Sequence, residues 1–171
     1  SFIGLQGNGD TFWYNSFESS ENGFQLERIL VFARTESVSN PSFYVAVDTN
    51  GQRLVGGNVT LPPAQGGTWY TINLPTPLSF KSGGAFFIIL GASKAIAFPA
   101  GADQYASVPN NSFFFEPSLS RYVPLGSVKG FENGAFLIRA VGTKIRDKLT
   151  VNPVSGTIVP GGSQTITVAF D

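Results

Sequence analysis

Side chains able to do chemistry are few in this chain, and their types restrict what that chemistry could be. The 171 residues include no His and no Cys. A Ser-His-Asp or Cys-His nucleophile is therefore excluded, as are His- or thiolate-bound zinc, a haem ligand pair and a disulfide. Carboxylates remain as acid–base groups. Asp10, Glu27, Asp48, Asp103 and Glu116 could in principle supply a glycosidase-like acid and base. Asp10 and Asp48 nevertheless fall in turn sequences, where Asp is favoured by hydrogen bonds to its own backbone. No Ser lies three residues before a Lys, which excludes a Ser-x-x-Lys pair. The expectation is a protein that is not an enzyme and needs no cofactor.

Calcium is the one metal that fits, because it takes oxygen ligands and needs no His. Its candidate ligands are Asp48, Asn50 and Asp103. Asp48-Thr49-Asn50-Gly51 begins like a D-x-N-G loop but lacks the later carboxylates, and a hairpin turn competes with the metal reading. Exposed aromatic residues could instead stack on sugars. Trp13-Tyr14 and Trp69-Tyr70 are adjacent pairs, and neighbours on a strand face opposite ways, so one of each pair should point out. Trp13, Trp69 and Tyr105 are the candidate glycan contacts, and Tyr122, in a loop-like context, could join them. Most of the 16 Phe belong to a core. Phe113-Phe114-Phe115 cannot all face it, which makes this run a candidate subunit interface. Asn58-Val59-Thr60 and Asn110-Asn111-Ser112 match the N-glycosylation spacing.

The elements that must position these residues read as strands. Phe24, Leu26, Leu30 and Phe32 share one parity, interrupted by Arg28 and Arg34. Phe43, Val45 and Val47 alternate with polar or small residues, and so do Tyr70, Ile72 and Leu74, then Phe136, Ile138 and Ala140. The run 85–90 is apolar on both parities, as a central strand covered on both faces would be. Asn-Gly and Gly-Gly turns punctuate these runs, and Pro75, Pro77 and other prolines mark strand ends. About ten short strands without a helix predict an all-β, two-sheet antiparallel sandwich.

Charged residues make up 13 % of the chain and cancel. No basic stripe exists to neutralise phosphates, so nucleic acid is not an expected partner. The longest apolar run is too short to span a membrane. The chain opens on Ser1 without a leader-like segment, as a processed product would, and the low charge suits an extracellular or cell-surface setting.

Near 143–148 the pattern changes. Residues 1–146 read as the sandwich, and 147–171 as a two-strand tail over 149–151 and 163–170. Two strands cannot bury a core alone. The tail sequence LTVNPVSGTIVPGGSQTITVAFD resembles the first strands of the immunoglobulin-like repeats of secreted bacterial proteins. Leu149, Pro153, Ser155, Gly156, Pro160, Gly161, Gln164, Thr165, Val168 and Asp171 carry the resemblance, although the further strands of such a repeat do not follow. The body, through LERILVFAR, SFYVAVDTNGQ, TWYTINL, SGGAFFIIL and GAFLIRAV, is similar to the jelly-roll sandwiches found beside secreted bacterial peptidases and surface proteins. That resemblance implies a non-catalytic module.

Two functions follow as expectations. In the first, the chain is an extracellular structural or adhesive subunit, built head-to-tail into a surface filament. The tail strand would add to an open sheet edge of the next copy through Ile166, Val168 and Phe170. In the second, it is a carbohydrate- or substrate-binding accessory module of a larger secreted hydrolase.

Overall fold

The computed structural model describes residues 1–3, 10–35, 38–64, 66–97, 99–106, 111–145 and 149–170, with the backbone alone at 149, 150 and 170. Its strands are β1 (Phe2–Ile3), β2 (Thr11–Glu18), β3 (Phe24–Arg34), β4 (Ser42–Thr49), β5 (Gln52–Thr60), β6 (Gly67–Phe80) and β7 (Ala85–Ala92). They continue as β8 (Ala100–Asp103), β9 (Ser112–Glu116), β10 (Arg121–Pro124), β11 (Ala135–Phe136), β12 (Ile138–Lys144), β13 (Leu149–Asn152) and β14 (Thr167–Phe170). One short 3-10 turn, Leu125–Ser127, is the nearest thing to a helix among the described residues. No helix there is long and apolar enough to cross a membrane.

The strands form the expected antiparallel two-sheet sandwich. In the first sheet β3 is central, pairing with β6, β12 and β8, and β8 in turn carries β1 and β11. The second sheet has the order β10-β9-β2-β7-β4-β5. The chain passes repeatedly from one sheet to the other, so consecutive runs of sequence supply both walls of one core. Trp13, Phe43, Phe86, Ile88 and Leu90 from the second sheet meet Leu26, Ile29, Val31, Ile72 and Ile138 from the first. β7 lies between β2 and β4, the central place expected, but only one face is covered: Phe86, Ile88 and Leu90 are buried in the core, whereas Phe87 and Ile89 are half-buried on the outer face.

The parity expected for β3 holds only for its first half. Against β12 the register slips by one residue, since Arg28 faces Val141 whereas Leu26 faces Gly142. Glu27 is the extra residue of this bulge, and a bulge reverses which side chains point inward. Beyond it Ile29, Val31 and Ala33 are buried, while Arg28 lies on the solvent side with Leu30 and Phe32. The two arginines are therefore not interruptions of a core stripe. Pro75 and Pro77 also behave differently from expectation. They lie inside β6 where it loops out against β3, residues 74–77 of β6 standing against Glu27 alone on β3. An edge strand has N–H groups that pair with nothing, so proline is tolerated there.

Two buried polar networks tie the layers together. Asn15 Nδ2 donates to the carbonyl of Phe136 at 2.9 Å, Ser112 Oγ donates to Asn15 Oδ1 at 2.7 Å, and the Phe136 amide donates to Ser112 Oγ at 2.9 Å. Every member thus has a partner, which a buried polar group requires. In the second network the Tyr70 hydroxyl donates to the Pro62 carbonyl at 2.9 Å and contacts Thr35 Oγ1 at 2.7 Å.

Strands β13 and β14 pair with each other, Leu149 opposite Phe170 and Val151 opposite Val168, in a two-stranded sheet of their own. The second tail strand is four residues long, shorter than the eight-residue run its sequence predicts.

Candidate functional site

The outward parity of the second sheet is densely aromatic. Burial of Thr11, Trp13 and Asn15 turns Phe12 and Tyr14 of β2 outward. Tyr14 lies opposite Phe113 of β9 on one side and Ile89 of β7 on the other. Ile89 faces Ala46, which faces Gly56. A neighbouring row places Phe12 opposite Gly91, Gly91 opposite Tyr44 and Tyr44 opposite Asn58. At the far edge, Phe115 pairs with Tyr122 of β10.

Tyr14 is the hub of this face. Its ring stacks on Phe113 at 4.9 Å and 16°, and meets Tyr122 and Phe87 edge-on at 4.9 and 5.8 Å. Phe115 meets Tyr122 edge-on at 5.5 Å. Such stacked and T-shaped contacts hold rings in place beyond what burial alone would do. Burial pushes the Tyr14 phenol above its ordinary pKa, and burial followed by the neighbouring Tyr14 does the same to Tyr122.

Two glycines let the rings lie down on the sheet. A Cβ at Gly91 would come within 2.5 Å of the Phe12 ring, and one at Gly56 within 2.8 Å of the Tyr44 hydroxyl oxygen. Tyr44 is also braced by charge. Arg53 Nε and Nη2 donate to the two Asp48 carboxylate oxygens at 2.8 and 3.1 Å, and Nη1 donates to the Tyr44 hydroxyl. The guanidinium stands 5.5 Å from the Tyr44 ring centre. Its hydrogen bond to Asp48 raises the Arg53 pKa further.

Two adjoining clefts open onto this face. One, of about 450 Å³, is lined by Asp10, Phe12, Tyr44, Arg53, Asn58 and Tyr122, with Ile89 as its floor. The other, of about 290 Å³, shares Asp10, Phe12, Tyr44 and Asn58 and adds Asn40 and Ser42. Asp10 is oriented by the Lys94 amide, which donates to its Oδ1 at 3.2 Å. Aromatic floor and hydrogen-bonding rim together suit a ligand with both apolar faces and hydroxyl edges.

The residues singled out from sequence are dispersed. Trp13 is 1 % exposed and packs on Phe43 and Phe136, so it offers no surface to a glycan, and its neighbour Tyr14 takes the outward place. Trp69 is 38 % exposed on the outer face of the first sheet, the opposite side of the sandwich. Its ring face is occupied by the Arg139 guanidinium at 4.3 Å, and Phe32 meets it edge-on. Tyr105, 87 % exposed, follows β8 of that same sheet. The expected glycan trio therefore does not assemble.

Asp48 is taken up by Arg53 and Asn50 sits in the β4–β5 turn, with φ of 44° followed by 79° at Gly51, the left-handed pair of a tight hairpin. Asp103 lies in the other sheet and caps the Tyr105 amide at 3.0 Å. The three candidate calcium ligands are thus not brought together, and no group of three or more acidic residues that could hold a metal occurs among the described residues. The remaining carboxylates are engaged locally, Glu27 by the Thr143 hydroxyl and Glu116 by Ser118.

Of the Phe113–Phe115 run, Phe114 is partly buried against the core, whereas Phe113 and Phe115 join the outer face. Ile166 and Val168 are exposed in the tail, and the Phe170 side chain lies outside the described residues. Asn58 is exposed on the cleft rim, and Asn110 is outside the described residues. Sequence reasoning missed Phe12 and Tyr44 on this face, whereas it had Tyr14 as one of a pair with an outward member and Tyr122 as a further aromatic that could join a sugar-stacking surface. The signal for the whole face was aromatic residues on the parity opposite the core in three strands, which becomes visible only once the strands are ordered.

No family model and no curated protein matches the chain. Two solved structures share its fold. A clostridial cysteine protease, Cwp84, after propeptide cleavage aligns with a TM-score of 0.55 and 14 % identity over 78 % of this chain and 36 % of that one. The structure of the cysteine protease and lectin-like domains of Cwp84, a surface layer associated protein of Clostridium difficile, aligns with a TM-score of 0.57 and 14 % identity over 79 % and 32 %. The chain spans about a third of the length of each, and at this identity the likeness is one of fold.

Proposed function

We propose that this chain is a non-catalytic, glycan-binding module of a bacterial cell-surface protein. The observation that carries the reading is the outer face of the second sheet, where Phe12, Tyr14, Tyr44 and Tyr122 are fixed beside Asp10 and Asn58. A sugar ring presents apolar C–H groups on its faces and hydroxyls around its edge. Flat rings take the first, and carboxylate and amide groups take the second. The fold likeness supports the same reading. One neighbour combines cysteine protease and lectin-like domains, and an all-β chain without Cys that aligns with about a third of it is consistent with the lectin-like part. Binding to a panel of immobilised polysaccharides tests it, with Phe12→Ala and Tyr44→Ala as variants. Retention that falls in both variants while their melting temperatures hold supports the assignment. Retention unchanged in both variants rules this face out.

A second reading concerns the tail. Strands β13 and β14 form a two-stranded sheet with exposed Ile166 and Val168, which is consistent with donation of a strand to another copy, or with docking on a neighbouring domain. If donation builds a filament, deleting residues 147–171 leaves only monomers under electron microscopy. Fibres that persist after the deletion exclude it.

A further inference from the structure

The glycan-binding face is long, open and nearly uncharged, and these features narrow its ligand. We infer that it takes an extended, neutral polysaccharide chain, bound along its length across the strands, rather than a single terminal or acidic sugar. This inference rests on the glycan-binding reading and specifies its ligand class.

Length comes from the strand order. Tyr122 stands on β10 and Tyr44 on β4, with β9, β2 and β7 between them. Four strand spacings separate their backbones by about 19 Å. Phe12 lies between them, and Asn58 extends the row onto β5. A single sugar can cover one of these rings; reaching several takes an oligosaccharide. The two clefts share Asp10, Phe12, Tyr44 and Asn58, so they form one continuous track rather than two pockets. Gly91 and Gly56 keep the floor flat, because a side chain at either would rise into the rings.

Charge decides the chemistry of the chain. Among the described residues, Asp10 and Arg53 are the only charged ones lining either cleft. Arg53 spends three of its five N–H donors, two on Asp48 and one on Tyr44, and its charge is offset by the Asp48 carboxylate. Asp10 is exposed and, among the described residues, pairs with a backbone amide rather than a cation. Among the described residues the track thus offers no unpaired cation to a carboxylate or phosphate, and the Asp10 charge repels them. Hydroxyl and acetamido groups meet no such penalty and find acceptors and donors in Asp10, Asn58, Asn40 and the two tyrosine hydroxyls.

Calorimetric titration of the full chain tests both halves of the inference. The probes are mono-, tri- and hexasaccharides of glucose, N-acetylglucosamine, xylose and mannose, with hexagalacturonate as the acidic counterpart. The best neutral hexamer should bind about thirtyfold more tightly than its monosaccharide, the gain from two further ring contacts. Hexagalacturonate should bind at least about tenfold more weakly than that hexamer, and Asp10→Asn should narrow this gap without altering the chain-length dependence. Equal affinity for monosaccharide and hexamer overturns the extended ligand, and a preference for hexagalacturonate overturns the neutral one. Either result leaves glycan binding itself standing. Silence across these probes and a broad glycan array removes the glycan reading and this inference together.

Discussion

At the scale of single residues, the two members of an adjacent aromatic pair have opposite fates. Trp13 and Tyr14 are neighbours in sequence, yet one is sealed in the core and the other is the hub of the outer face. Their replacements should separate stability from binding. Trp13→Ala should cost about 3–5 kcal/mol in denaturant unfolding, the usual result of emptying a buried aromatic site. Tyr44→Ala should leave unfolding nearly unchanged and weaken oligosaccharide binding about tenfold. Truncating Asn15 to Ala should cost about 1–3 kcal/mol, because Ser112 and the Phe136 carbonyl would both lose their partner. The phenols give a pH dependence with a defined sign. Tyr14 and Tyr122 hold their protons more tightly in the fold than in the unfolded chain. Their contribution is complete below the ordinary tyrosine pKa near 10 and is lost as pH rises through the higher folded values. Absorbance titration should show two phenols ionising late, and Tyr14→Phe should remove one of them and lessen the alkaline loss of stability.

At the scale of elements, register determines which chemistry reaches the surface. Alternation in β4 and β6 was legible from sequence, because each strand keeps one parity where it lines the core. In β3 it was not, since a single extra residue at Glu27 reverses the pattern halfway along and nothing in the local composition marks the slip. Deleting Glu27 should therefore turn Ile29, Val31 and Ala33 outward or force a new pairing with β12, and the protein should fail to reach its native circular dichroism spectrum. The β4–β5 hairpin offers a milder case. Asn50-Gly51 was legible as a turn, and Gly51→Val should cost about 1–2 kcal/mol for a branched residue at positive φ. The platform was the least legible feature, because it exists only where β10, β9, β2, β7 and β4 lie side by side. Tyr14 and Tyr122 are 108 residues apart in sequence but 4.9 Å apart as rings. Trp residues drew attention by their size, whereas the surface uses tyrosine and phenylalanine laid over glycine.

At the scale of the whole molecule, the candidate acid–base carboxylates are each engaged by an arginine, a hydroxyl or a backbone amide. One sandwich face is then free for recognition, and the opposite face closes its tryptophan under an arginine. The tail hairpin lies in a sheet apart from this framework. Deleting 147–171 should accordingly leave the melting temperature of the sandwich and its sugar affinity unchanged, whatever the tail does for assembly. The central claim is that the outer face of the second sheet holds the glycan. It is tested most directly by titrating wild type and the Phe12→Ala/Tyr44→Ala double variant with the tightest-binding neutral hexasaccharide. The account predicts at least about a tenfold loss of affinity with an unchanged melting temperature, and equal affinity in the two proteins would contradict it.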